Sequence, residues 1–143
     1  MNNTDKSVFF IVLLTISFCF FLIKDRPLLI DEIQHFTSIK EVSNFEITEE
    51  TITRNSHLPG YYFLVGIAIS LINYKTVIGA RFITVLFSLM CILIFYKIAK
   101  KIDNKNAYIK TLQFFFFPII FLFLYLIYND ILAFAVVFFY LYF

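Results

Sequence analysis

Tryptophan is absent, and glycine, proline and cysteine are scarce: three, three and two residues in a chain of 143. Three scattered glycines cannot build a phosphate-cradling loop, which needs several within one short turn. Cys19 and Cys91 both stand inside apolar runs, so they form neither a paired metal motif nor a disulfide framework and read as small hydrophobes. No serine sits in a nucleophile-elbow pattern. Charge is sparse as well, at 15% of residues, where a soluble domain carries about a quarter. The net charge of +2 is spread among apolar runs rather than gathered into a patch, so it gives no sign of a nucleic-acid partner and none is expected.

What the chain does have is hydrocarbon. It is 61% hydrophobic, with 21 Phe and 9 Tyr, and its mean hydropathy is +0.85. Too little polar surface remains to cover a water-soluble globule. The expected class is therefore an integral, multi-pass membrane protein: an all-α bundle of four to five transmembrane helices.

The apolar runs set the expected spans at about 8–23, 58–72, 76–99, 112–128 and 131–143, within a single membrane domain. Lys6 precedes the first run as it would in a signal peptide, but no small-x-small cleavage site follows, so an uncleaved helix is expected. The second run is short for a span, which usually takes about 17 to 25 residues. The fifth runs to Phe143 without a polar flank, and the chain reads as an N-terminal fragment of a longer protein. Residues 24–57 form the one long polar stretch. Within it, Ile33, Phe36, Ile39, Val42 and Phe45 recur every third residue, which predicts a short amphipathic surface helix over 31–45. Asn73, Tyr74 and Lys75 predict a tight turn.

Candidate chemistry gathers after the first span. Asp31 and Glu32 are adjacent carboxylates at the membrane boundary, where a general base could meet both a lipid and a polar substrate. Asp31 also fits a helix N-cap, and the two roles use different oxygens. His35 lies one helical turn on, and with Asp31 and His57 makes a loose metal set. Solvated histidines are the safer reading, and no metal or cofactor site is assigned. His57-Leu58-Pro59-Gly60-Tyr61-Tyr62 returns the chain to the membrane. Its Pro and Gly are ordinary helix-entry punctuation, while Tyr61 and Tyr62 could stack on a sugar or prenyl chain. Arg81 and Asp130 are costly inside apolar sequence, and an Arg81–Asp130 ion pair is the expected remedy. Lysines 97, 100, 101, 105 and 110 are expected to snorkel to headgroups.

Four stretches, in order, resemble the N-terminal part of the GT-C superfamily of membrane glycosyltransferases. The nearest likeness is to the dolichyl-phosphate-glucose alpha-1,2-glucosyltransferase family. They are Asp31-Glu32-Ile33-Gln34-His35, then Leu58-Pro59-Gly60-Tyr61-Tyr62, then Arg81-Phe82 with Leu86-Phe87-Ser88. The last is Phe117-Pro118 with Leu124-Tyr125 and Tyr128-Asn129-Asp130. The chain departs from the family in lacking its Trp-Asp-Pro stretch before His57 and in carrying Gln34 where the family has an aromatic.

The resemblance implies an inverting hexosyltransferase. It would move glucose from a dolichyl- or polyprenyl-phosphate donor to a lipid-linked oligosaccharide in N-glycan precursor assembly. The membrane would be that of the endoplasmic reticulum in a eukaryote. A prokaryotic polyprenyl-phosphate-sugar transferase of the same superfamily, in the plasma (inner) membrane, is the alternative within the class. A non-enzymatic multi-pass scaffold or transporter fragment is the alternative outside it. Asp31 is implied as the base and Glu32 as the supporting carboxylate, with His35, His57, Tyr61 and Tyr62 binding substrate. This fragment alone is expected to be inactive, because the phosphate-binding cations are expected further along the chain. The family topology places loop 24–57 outside the cytosol. Four alternating crossings would put that loop beside the lysines of 97–110, nine Lys and Arg against three, and so in the cytosol.

Overall fold

The computed structural model describes residues 3–53, 59–118, 121, 124, 126–128 and 130–143. Among these residues the chain is all helix: α1 Asn3–Ile23, α2 Ile30–Ser43, α3 Glu49–Thr53, α4 Gly60–Leu71, α5 Val77–Ile102, α6 Ala107–Phe115 and α7 Asp130–Tyr142. One of them, α5, is long and apolar enough by itself to cross a membrane.

Local chemistry sets the ends of these helices. After α1 ends at Ile23, Lys24 still donates its N–H to the Phe20 carbonyl, and Pro27 then biases Arg26 away from helix. The amphipathic helix expected over 31–45 is present as α2. It stops at Ser43 because Phe45 takes a left-handed conformation (φ 62°), closing a Schellman turn with Glu46 N–H on the Glu41 carbonyl. Its buried residues are Glu32, His35, Ser38, Ile39, Val42 and Ser43, which share only Ile39 and Val42 with the apolar series. Ile33 and Phe45 are exposed, since a threefold series drifts around a helix of 3.6 residues per turn. Asn73 ends α4 in the same left-handed way (φ 53°), giving the expected turn, and Thr76 caps α5 by accepting the Gly79 N–H.

Helix α5 is the axis of the molecule and packs against α1, α4, α6 and α7. Phe20 of α1 meets Phe82 at the start of α5, so the two helices run antiparallel. From Ala107 the chain climbs back along α5: Phe114 stacks on Phe95 at 4.2 Å, and the Leu124 carbonyl accepts from Ser88. Helix α7 then descends parallel to α5, from the Cys91 Sγ–Ile131 carbonyl contact to Tyr142 beside Lys101.

Two of the runs expected as spans form helices with other bounds. The fourth, 112–128, is not one helix: α6 begins earlier, at Ala107, and ends at Phe115. Pro118 follows, and its ring cannot continue the ladder onto Phe114. The second, 58–72, gives a helix of 12 residues, about 18 Å long, against about 39 Å for the 26 residues of α5. It packs beside α2 in a head around the N-terminal turns of α5. There Gly66 brings the helices so close that a Cβ would lie 2.7 Å from Val42.

The ends of the molecule follow from these contacts. Loop 24–53 and the 73–76 turn lie together, tied by Lys75 Nζ to Asn44 Oδ1 at 3.2 Å. The lysines of 97–110 lie at the opposite end of α5.

Candidate functional site

The site is built where α1 stops and α2 starts. Glu32 occupies the third position of α2 and accepts the Leu29 N–H at 3.1 Å, so Glu32, rather than Asp31, satisfies the helix N-terminus. Its carboxylate is fully buried, and so is Arg81, one turn into α5. Arg81 Nη2 donates to both Glu32 oxygens at 3.0 and 3.3 Å, and Nε donates to Oε1 at 3.3 Å. Arg81 Nη1 donates to the Arg26 carbonyl at 2.9 Å and reaches that of Lys24 at 3.5 Å. Glu32 Oε1 also accepts the Ile127 N–H at 3.1 Å. One ion pair thus clamps the 24–29 linker, α2, α5 and the 126–128 segment together.

That arrangement replaces the expected Arg81–Asp130 pair. The guanidinium's ion-pair partner is Glu32, and Asp130 is exposed in the first turn of α7. The physical reason is geometric. Glu32 offers Arg81 both oxygens in a fork that matches the guanidinium, inside a site that also supplies backbone carbonyls.

Around the clamp the other polar groups are paired off. His35 is buried rather than solvated; its Nδ1 lies 2.9 Å from the Tyr62 hydroxyl, and its ring rests edge-on against Tyr128 at 5.4 Å. Tyr61 is buried with its hydroxyl 2.7 Å from Thr84 Oγ1. Tyr61 and Tyr62 therefore face the interior of the head and offer no surface for stacking on a sugar. His57 lies outside the described residues.

Asp31 differs from all of these. It is exposed, one residue from the buried clamp, and lies near the Tyr128 side chain. Glu32 has its oxygens occupied by five N–H donations, so it holds geometry and is not free to take a proton from a substrate. Among the described residues no group of three or more His, Cys, Asp or Glu is placed to hold a metal ion.

Sequence reasoning missed Tyr128, Thr84 and Ser88. A signal for the last two was present: Arg81, Thr84, Ser88 and Cys91 fall at spacings of three, four and three, which is one face of a helix in an otherwise apolar run. All four are buried, and each reaches a different segment: Glu32 in α2, Tyr61 in α4, the Leu124 carbonyl and the Ile131 carbonyl. Comparison with protein families, with characterised proteins and with solved structures finds no match for this chain.

Proposed function

We propose that the chain is the site-bearing part of a multi-pass membrane glycosyltransferase that uses a prenyl-phosphate-linked sugar, with Asp31 as the general base. Four segments cross the bilayer in this reading: α1, α5, residues 107–128, and the stretch from Ile127, beside the clamp, to Tyr142, beside Lys101. Helix α4 is a half-length element of the head. Exposed apolar faces on α1, α5 and α7, such as Phe10, Phe18, Leu86, Met90, Val136 and Phe139, then meet lipid tails.

With α4 not crossing, loop 24–57 and the lysines of 97–110 lie on opposite sides. The Lys and Arg count becomes even, six against six, instead of nine against three. The charge rule therefore no longer opposes a non-cytosolic loop 24–57.

The observation that carries the reading is the contrast between neighbours: Glu32 locked in the interior, Asp31 displayed beside it at the end of the apolar body. In the reaction, the Asp31 carboxylate takes the proton of an acceptor hydroxyl while that oxygen bonds to the anomeric carbon. The bond from that carbon to the prenyl phosphate breaks with inversion, and the phosphate leaves as an anion without needing a proton. The Glu32–Arg81 clamp fixes the helix that carries the base.

The test uses the full protein in bilayers supplied with polyprenyl-phosphate-glucose and a lipid-linked oligosaccharide. Asp31→Asn should lower turnover by about 100-fold or more with unchanged thermal stability; normal turnover removes Asp31 from the mechanism. The second reading, a non-enzymatic membrane scaffold, draws on the internal pairing of Glu32, His35, Tyr61, Tyr62 and Arg81. It predicts no transfer by the wild type and no consequence of Asp31→Asn.

A further inference from the structure

The end of the molecule far from Asp31 carries a second polar constellation that the proposed chemistry does not use. Segment 97–110 holds five lysines and one carboxylate, Asp103. That carboxylate is engaged, by Asn106 Nδ2 at 3.0 Å and Lys110 Nζ at 3.0 Å. Lys97 and Lys101, one turn apart on α5, both place their ammonium groups over the Tyr142 ring, at 5.6 and 3.9 Å from its centroid. Lys101 Nζ gives one N–H to the Tyr142 carbonyl at 2.6 Å and has two left. Neither ammonium is ion-paired among the described residues. Lys100 leans on Tyr96, and beside it Ile102 is 76% exposed.

From Arg81 to Lys101 is twenty residues of helix, about 30 Å, which is the thickness of a bilayer's hydrocarbon core. Two cations gathered over one aromatic ring at that height match a lipid phosphate.

We infer that Lys97, Lys101 and Tyr142 form a binding site for the phosphate of an anionic phospholipid in the leaflet opposite Asp31. The inference rests on the membrane reading above but not on the transferase chemistry. A headgroup phosphate bridges the two ammonium groups, and Tyr142 holds both from below. An anionic lipid there fixes the depth of α5 and of α7, whose Tyr142 lies beside Lys101.

The experiment reconstitutes the full protein in carbonate-washed vesicles of phosphatidylcholine mixed with phosphatidylglycerol. The lipids that stay bound are then counted by native mass spectrometry. The wild type should retain phosphatidylglycerol in excess over the bulk mixture. Lys97→Gln with Lys101→Gln should cut that preference about 25-fold, at about fivefold per lysine, while Lys97→Arg with Lys101→Arg keeps it. Should the Gln variant not fold, salt titration of the wild type serves instead: enrichment must fall as ionic strength rises. Equal retention of both lipids by a membrane-resident wild type overturns the inference alone. Displacement by inorganic phosphate as readily as by lipid also overturns it, since the site would then recognise a free anion. Loss of the wild type in the carbonate wash instead overturns the membrane reading beneath it.

Discussion

The two halves of α5 hold their neighbours by different physics. Its N-terminal half, from Arg81 to Cys91, joins α2, α4, Leu124 and α7 through directional polar contacts. Its C-terminal half packs Phe95 against Phe114 and Phe138 in a ladder of rings, with Phe134 alongside, and meets α7 through polar groups only in its last turns, where Lys97 and Lys101 reach Tyr142. Between helices in lipid the hydrophobic effect supplies no preference, because lipid tails are as apolar as the rings; packing and polar contacts must choose the partner. The polar half therefore decides which segment goes where, and the ring half fills the space that decision leaves. A site that needs one carboxylate held in place belongs in the first half, and Asp31 is there.

Several substitutions would break or sharpen this contrast. The largest effect belongs to the clamp. Glu32→Ala or Arg81→Ala strands a buried charge and should cost about 3–5 kcal/mol in detergent unfolding, whereas Glu32→Leu with Arg81→Met should cost less than either. If the double replacement is the worst of the three, the pair is doing more than satisfying itself.

Next comes the close approach of α2 and α4. Gly66→Ala drives a methyl group against Val42 and should cost about 1–3 kcal/mol, seen as faster hydrogen exchange in α2 with α7 unchanged. In the ring ladder, Phe114→Leu loses aromatic contacts worth about 1 kcal/mol and should leave head-region exchange as it was. An equal response in both regions would deny that they are separately held.

The smallest effect is local and depends on pH. The Asn106 side chain, and then Lys110, hold the Asp103 carboxyl down at about 2. Because the folded value lies below the unfolded one, its support for the α5–α6 turn is complete above the ordinary carboxylate range. It fades as pH falls through about 2. Amide exchange at Lys105 and Asn106 should therefore stay slow at pH 5 and quicken only near that limit, and Asp103→Asn should remove the dependence.

The all-helical fold was legible because long apolar runs with few glycines or prolines form helices. Helix α2 was legible because charged and apolar residues alternate along 31–45. The clamp was not legible. Arg81 lies 49 residues from Glu32 and the same distance from Asp130, and only tertiary geometry decides between two carboxylates so placed. The length of 58–72 was visibly short for a span, yet its place beside α2 depends on the fit of Gly66 to Val42, which no periodicity records. His35 looked solvated because its sequence neighbours are polar, while its spatial neighbours are Tyr62 and Tyr128.

Two single cysteines test the central claim most directly, in a protein whose Cys19 and Cys91 have been replaced by alanine: Glu46→Cys in the head loop and Asn104→Cys in the lysine-rich turn. In sealed vesicles of one orientation, a membrane-impermeant maleimide should label one of them at once and the other only after the bilayer is opened. Labelling of both from the same side would restore α4 as a full crossing, return the Asp31 loop to the side of the lysines, and contradict the account.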